Sequence, residues 1–159
     1  MLHGAGEPAC QPWLSQATRL LLCSGKVFFS LDGGRKKHQV ADTAIVRVEQ
    51  LYPFPKPEIQ AVLKKYSNAQ EIIWVQEEPR NRGAWTFMQD RLQTMIAETA
   101  VLKYVGREAA SSPATGSYKL HEIEVEEILT AALDLQAAKT VSSNGAAVKP
   151  VPAVATAKP

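Results

Sequence analysis

Three cations and three carboxylates fall where the apolar runs of this sequence end. Lys26 follows Ser24-Gly25 after the run Leu20-Leu21-Leu22-Cys23. Arg47 and Glu49 close the run that begins at Ala44, Glu77 and Glu78 follow Glu71 to Val75, and Arg107 follows Val101 to Val105. If those runs are parallel strands, all six groups gather at the carboxyl edge of one sheet, where such sheets bind ligands. Arginine suits a phosphate or carboxylate there, because its planar fork donates two parallel hydrogen bonds. Arg47 interrupts the apolar residues Ala44, Ile45, Val46 and Val48, and a guanidinium in a covered strand is costly unless it meets an anion. Two partners are open to it. One is an ion pair with Glu77 or Glu78 on a neighbouring strand end; the other is an external anion shared with Arg107. Ser24-Gly25-Lys26 resembles a small phosphate-binding turn at a helix start, without the glycine spacing of a Walker loop or a dinucleotide fingerprint.

Other chemistries find less support. Glu77 and Glu78 are adjacent, so on an extended segment they point opposite ways and make a poor acid/base pair. Together with Arg80, Arg82 and Trp85 they form a mix of charge and aromatic surface common in protein contacts; the rival reading is a solvated loop with Trp85 in the local core. His3, His38 and His121 have no Cys or His partner at metal spacing, which argues against a zinc site. No Gly-x-Ser-x-Gly elbow occurs. Cys23 reads as a buried thiol and Cys10 lies in a Pro-rich lead-in, so a disulfide framework is not expected and a reducing compartment is.

The elements that must position these groups follow from periodicity. Arg19 to Cys23, Ala44 to Val48, Glu71 to Val75 and Val101 to Val105 read as buried strands. Lys26 to Leu31 starts a helix that Gly33-Gly34 should break early. Pro53 and Pro55 make 50–55 a stiff loop. Pro57 opens a helix whose apolar stripe is Ile59, Val62, Leu63 and Tyr66. Trp85, Met88, Leu92, Met95 and Ile96 mark another, and Val125, Ile128, Leu129, Ala132 and Leu133 the last. Gln76 to Gly83 reads as a polar loop, and Ser111 to Ser117 as a small-residue loop.

Strand and helix alternate at about 20–30 residues from strand to strand, the rhythm of a mostly parallel α/β sheet flanked by helices. The expected organisation is an irregular lead-in over 1–17, one α/β domain over 18–135, and a disordered Ala/Pro/Lys tail over 136–159. With 18 Lys and Arg against 16 Asp and Glu, the net charge of +2 makes no case for nucleic acid. No apolar run reaches the ~20 residues needed to span a bilayer, so no membrane partner is expected.

Four blocks now become specific: Leu-Leu-Cys-Ser-Gly-Lys-Val (21–27), Ala-Ile-Val-Arg-Val-Glu-Gln-Leu-Tyr-Pro-Phe-Pro (44–55), Trp-Val-Gln-Glu-Glu-Pro-Arg-Asn-Arg-Gly-Ala-Trp (74–85) and Tyr-Val-Gly-Arg-Glu-Ala-Ala-Ser-Ser-Pro-Ala-Thr-Gly (104–116). In this order they resemble the C-terminal domain of the thiamine-diphosphate-dependent dehydrogenase component of the 2-oxoglutarate dehydrogenase complex, from about Thr18 to Leu135. The resemblance implies a fold like the transketolase C-terminal domain. It also implies a parent reaction, the oxidative decarboxylation of 2-oxoglutarate with transfer of the succinyl group to a lipoyl arm. Thiamine diphosphate and magnesium belong to earlier domains in that family, and this sequence has no Gly-Asp-Gly…Asn cofactor motif. The resemblance places Arg47, Arg107, Ser117 and Lys119 near a regulatory site for acetyl-CoA, to which Lys26 could add charge; an adenine nucleotide is the other candidate. Two features depart from the family: Gly33-Gly34 stands where the helix is usually continuous, and the opening 1–16 does not match.

The expectation is therefore a contact and regulatory domain with no catalytic or cofactor-binding residues of its own. Its partners are the catalytic domains of the dehydrogenase, a homodimer mate and the dihydrolipoyl succinyltransferase complex. A bacterial host implies the cytoplasm and a eukaryotic host the mitochondrial matrix. A free-standing acyl-CoA- or nucleotide-binding regulatory module is the alternative, and one piece of a split enzyme is a third reading.

Overall fold

The structure, a computed structural model, describes residues 2–4, 16–96, 100–112 and 116–135. The strands are β1 (Leu2–Gly4), β2 (Arg19–Cys23), β3 (Thr43–Val48), β4 (Glu71–Pro79) and β5 (Val101–Arg107). The helices are α1 (Val27–Lys37), α2 (Lys56–Lys65), α3 (Trp85–Gln93) and α4 (Tyr118–Ala132). Sheet order is β1-β3-β2-β4-β5. β2, β3, β4 and β5 run parallel, and β1 joins the edge of β3 antiparallel.

Alternation along the strands creates two core layers. Leu20, Leu22, Ala44, Val46, Ile72 and Trp74 face one side, where Ile59 of α2 and Trp85, Met88 and Leu92 of α3 cover them. Leu21, Cys23, Ile45, Ile73 and Val75 face the other, under Val27, Phe28 and Leu31 of α1 and Ile128 and Ala132 of α4. This division follows from handedness. The step from β2 to β3 goes one way along the sheet and the steps from β3 to β4 and β4 to β5 go the other, so right-handed crossovers put α1 opposite α2 and α3. The chain thus parts to opposite faces at the carboxyl ends of β2 and β4.

Three local expectations change. α1 is not broken at Gly33-Gly34 but runs on to Lys37. Burial of Val27, Phe28 and Leu31 outweighs the glycine cost of about 1 kcal/mol per residue. Gly34 also lets α1 approach the chain after α4: a β-carbon there would sit 3.0 Å from Leu133 Cδ1. β4 does not stop at Val75 but continues through Gln76, Glu77 and Glu78 to Pro79, with a register shift against β5 between Val75 and Pro79. Within the stretch 1–17, expected to be irregular, Leu2–Gly4 forms a strand, because the outer edge of β3 supplies the partner that three residues cannot advertise by periodicity. The stretch 136–159 lies outside the described residues.

Candidate functional site

The carboxyl edge is built from the turn after β2, the ends of β3, β4 and β5, and the start of α4. Gly25 takes φ +74°, a left-handed conformation favoured by glycine, and turns the chain from β2 into α1. That turn brings Lys26 Nζ to 3.5 Å from Glu77 Oε2. The ion pair therefore bridges β2 and β4 where the chain parts to opposite faces, the crevice that α/β sheets of this kind use for ligands. Lys26 is exposed and Glu77 is mostly buried.

Arg47 pairs with Glu49, not with Glu77 or Glu78. The sheet order explains the correction. β2 lies between β3 and β4, which puts the Glu77 strand two spacings, about 10 Å, from Arg47. Glu49, two residues on, shares the face of Arg47. The Arg47 guanidinium also lies 5.1 Å from the ring centroids of both Phe28 and Phe29, which meet edge to face. Its Nε is buried and has no hydrogen-bond partner among the described residues.

Arg107 donates from Nε to the Glu77 carbonyl at 2.6 Å and lies 3.4 Å from Glu124 Oε2 of α4. Three strand spacings, about 14 Å, separate its strand from that of Arg47, so the two arginines do not form one clamp. Ser117 is the N-cap residue of α4 without a side-chain capping bond, and Ser117 and Lys119 are both exposed. Each of the three sequence-identified cations at this edge thus already faces a carboxylate.

The loop from Pro79 to Trp85 is held by a residue that sequence reasoning placed in a polar loop. Gln76 is buried. Its Oε1 accepts from Trp74 Nε1 and from the Trp85 backbone N–H, each at 3.0 Å. Its Nε2 donates to the carbonyls of Glu78, Pro79 and Arg82 at 3.2, 3.2 and 2.9 Å. Asn81 exchanges bonds in both directions with the backbone of Ala110, and Arg82 donates to the Ser111 carbonyl at 2.9 Å. The Tyr104 hydroxyl donates to the Arg107 carbonyl at 3.0 Å, and the Arg80 guanidinium lies 5.5 Å from the Tyr104 ring centroid. The only sequence signal for this network was the nearness of Gln76 to Trp74, Gly83 and Trp85.

Trp85 is interior and packs on Tyr104 with centroids 5.1 Å apart. It belongs to the core, as the rival reading of this loop had it. Glu78, Arg80 and Arg82 are exposed, while Glu77 turns inward to Lys26.

The arrangement is poor in reactive groups. Burial pushes the Cys23 thiol up to about 12, with Arg47 opposing and Glu49 adding to the effect, so it stays protonated at neutral pH. Among the described residues no cluster of three or more His, Cys, Asp or Glu side chains is arranged to hold a metal ion. No described helix is long and apolar enough to cross a membrane.

Residues 7–133 match the family described as 2-oxoglutarate dehydrogenase C-terminal. The chain belongs to this family. It is 46% identical over 118 residues to a 2-oxoglutarate dehydrogenase E1 component of Cupriavidus necator, covering 74% of this chain and 12% of that protein. A protein of the same name from Coxiella burnetii is 43% identical over 120 residues, covering 74% and 13%. One from Exiguobacterium sp. is 41% identical over 142 residues, covering 86% and 14%. The chain thus corresponds to the C-terminal region of the E1 component and spans a small fraction of the length of these bacterial relatives.

Proposed function

We propose that this chain is the C-terminal contact and regulatory domain of a 2-oxoglutarate dehydrogenase, with no turnover of its own. The observation that carries the reading is the family match over 7–133 on a domain whose edge cations Lys26, Arg47 and Arg107 are all met by internal carboxylates. The parent reaction is oxidative decarboxylation of 2-oxoglutarate with succinyl transfer to a lipoyl group. The residues here do not fit thiamine diphosphate and its magnesium ion. The sequence has no Gly-Asp-Gly…Asn motif, and no described donor cluster suits a cation. The cofactor carries the hard chemistry, so the catalytic domains supply it and this domain supports them. Its partners are those domains, the second subunit of a homodimer and the dihydrolipoyl succinyltransferase complex, in the cytoplasm of a bacterium or the matrix of a mitochondrion. A transketolase-like C-terminal fold is consistent with the four parallel strands and the antiparallel edge strand.

The test is a hybrid in which this chain's aligned stretch replaces the matching 118 residues of the Cupriavidus necator protein. Turnover with 2-oxoglutarate within a few-fold of the parent supports the proposal. A folded, inactive hybrid contradicts it.

An anionic regulator is a second reading, favoured by the Nε of Arg47, which no described residue partners. Acetyl-CoA or an adenine nucleotide would engage Arg47, with Lys26, Arg107, Ser117 and Lys119 along the same edge. Binding there has to displace or extend the existing ion pairs. Calorimetric titration of the hybrid with acetyl-CoA and with AMP tests it. Binding lost in both Arg47→Ala and Arg107→Ala, with folding intact, supports the site. No heat at millimolar ligand removes it.

A further inference from the structure

One side of α4 packs on the sheet through Ile128 and Ala132. On its outer side Leu120 and Ile123 are 47% and 48% exposed. Helical spacing continues that outer face through Glu127, Thr130 and Ala131 toward Asp134. Ile123, Glu126, Glu127, Thr130, Ala131 and Asp134 line a groove of about 520 Å³ along it.

Charge on this face is one-sided. Glu122, Glu126, Glu127 and Asp134 are exposed. Asp134 reaches Arg19 only at 3.9 Å. Among the described residues Glu122, Glu126 and Glu127 make no ion pair. The helix end adds to the imbalance. α1 closes with Arg35, Lys36 and Lys37, α2 with Lys64 and Lys65, and α3 with Arg91, each offsetting the partial negative charge of a helix C-terminus. α4 has no basic residue in its last turn.

The sequence that follows carries what the face lacks. From Gln136 to Pro159 it has Lys139, Lys149 and Lys158 and no Asp or Glu. It starts at the carboxyl end of α4, where the groove begins. From Asp134 back to Ile123 the helix rises about 17 Å, which about five extended residues cover. Residues 136–149 therefore reach the whole groove and leave enough chain for the turn back. Val141 and Val148 offer apolar side chains to Ile123 and Leu120, and the small Thr130 and Ala131 give a backbone room to approach. A segment of this composition builds no core of its own, but it needs none to lie along a face already built.

We infer that residues 136–149 dock back along the outer face of α4, with Lys139 and Lys149 on Glu126, Glu127 and Asp134. The family match ends at residue 133, so this contact belongs to the chain beyond it and stands apart from the function proposed above.

Nuclear magnetic resonance of the full chain tests the contact. Cys10→Ser leaves the buried Cys23 as the remaining native cysteine, and Ala147→Cys carries a nitroxide spin label. Docking should broaden the amide signals of Leu120, Ile123 and Glu127. Lys139→Glu with Lys149→Glu keeps the tether and reverses its charge, which separates docking from mere nearness. That reversal should lower the docked-to-free ratio about fivefold, the combined worth of a few exposed ion pairs. Adding Glu126→Lys and Glu127→Lys should restore it. Raising the salt should weaken the broadening of the unreversed chain, a measurement that needs no charge variant. No broadening, or broadening indifferent to both charge reversal and salt, overturns the inference. Spin-labelled chain is also mixed with isotope-labelled chain that has no spin label. Broadening passed between chains in that mixture overturns it in favour of a second copy as the occupant.

Discussion

Gln76 Oε1 accepts the Trp85 backbone N–H at 3.0 Å, so one buried amide joins the end of β4 to the first residue of α3. The same oxygen accepts from Trp74 Nε1, and the amide nitrogen holds three carbonyls of the intervening turn. Unmade buried hydrogen bonds cost ~1–3 kcal/mol per group. Gln76→Ala strands Trp74 Nε1 and the turn carbonyls together, so the expected loss is about 2–4 kcal/mol in urea unfolding. A loss under about 0.5 kcal/mol would mean that the network is replaced by water.

This network marks how far the sequence could be read. The strand cores were legible because Leu20 to Cys23, Ile45, Val46 and Ile72 to Val75 are continuous apolar runs, as buried parallel strands require. The stripe Ile59, Val62, Leu63 and Tyr66 was legible for the same kind of reason. Gln76 was not, since a polar residue followed by two glutamates reads as loop until Trp74, Trp85 and Arg82 are folded around it. The partner of Arg47 was not legible either, because it depends on strand order. With β2 inserted between β3 and β4, the carboxylate nearest in space is the one two residues away, Glu49. Trp85 was open to two readings, a contact aromatic among charges or a residue of the local core, and it is buried with Tyr104 of β5 packed on it.

Two glycines should respond in opposite directions to an added methyl group. Nothing lies within 4 Å of a β-carbon placed on Gly33, inside α1. Gly33→Ala should therefore stabilise the domain by about 0.5–1 kcal/mol through helix propensity and a less flexible unfolded chain. At Gly106 a β-carbon would meet the Gln76 carbonyl oxygen at 2.7 Å and the Tyr104 hydroxyl more closely still. Gly106→Ala should lower the melting temperature, and equal responses at the two sites would contradict the packing described here.

The Glu71 carboxyl lies below the usual carboxylate range, first because it accepts from Lys103 and also because of Arg19 at 3.0 Å. A carboxyl depressed in the folded state contributes stability above its unfolded pKa and loses it as pH falls through the folded one. Unfolding monitored across the acid range should show that loss, and Glu71→Gln should flatten the acid limb. An unchanged acid limb in the variant would show that the cluster of Arg19, Glu71 and Lys103 adds no pH dependence.

Cys23 should be inert in the native protein. It is fully buried, and burial pushes its thiol up to about 12, which leaves almost no thiolate at neutral pH. With Cys10→Ser removing the other cysteine, a thiol-reactive disulfide reagent should label Cys23 only at the rate of unfolding. Rapid stoichiometric labelling in native buffer would contradict the packing of β2 against β3 and α1.

The function proposed for this domain leaves the reaction to the catalytic domains. Its edge cations are paired internally, its buried thiol is protonated, and its described residues offer no metal-binding cluster. The most direct measurement is turnover of the purified 159-residue chain with 2-oxoglutarate, thiamine diphosphate and magnesium, followed by ferricyanide reduction. The rate should equal the protein-free background. A rate above background that tracks this chain through successive purification steps, and is lost when it is unfolded, would contradict the account.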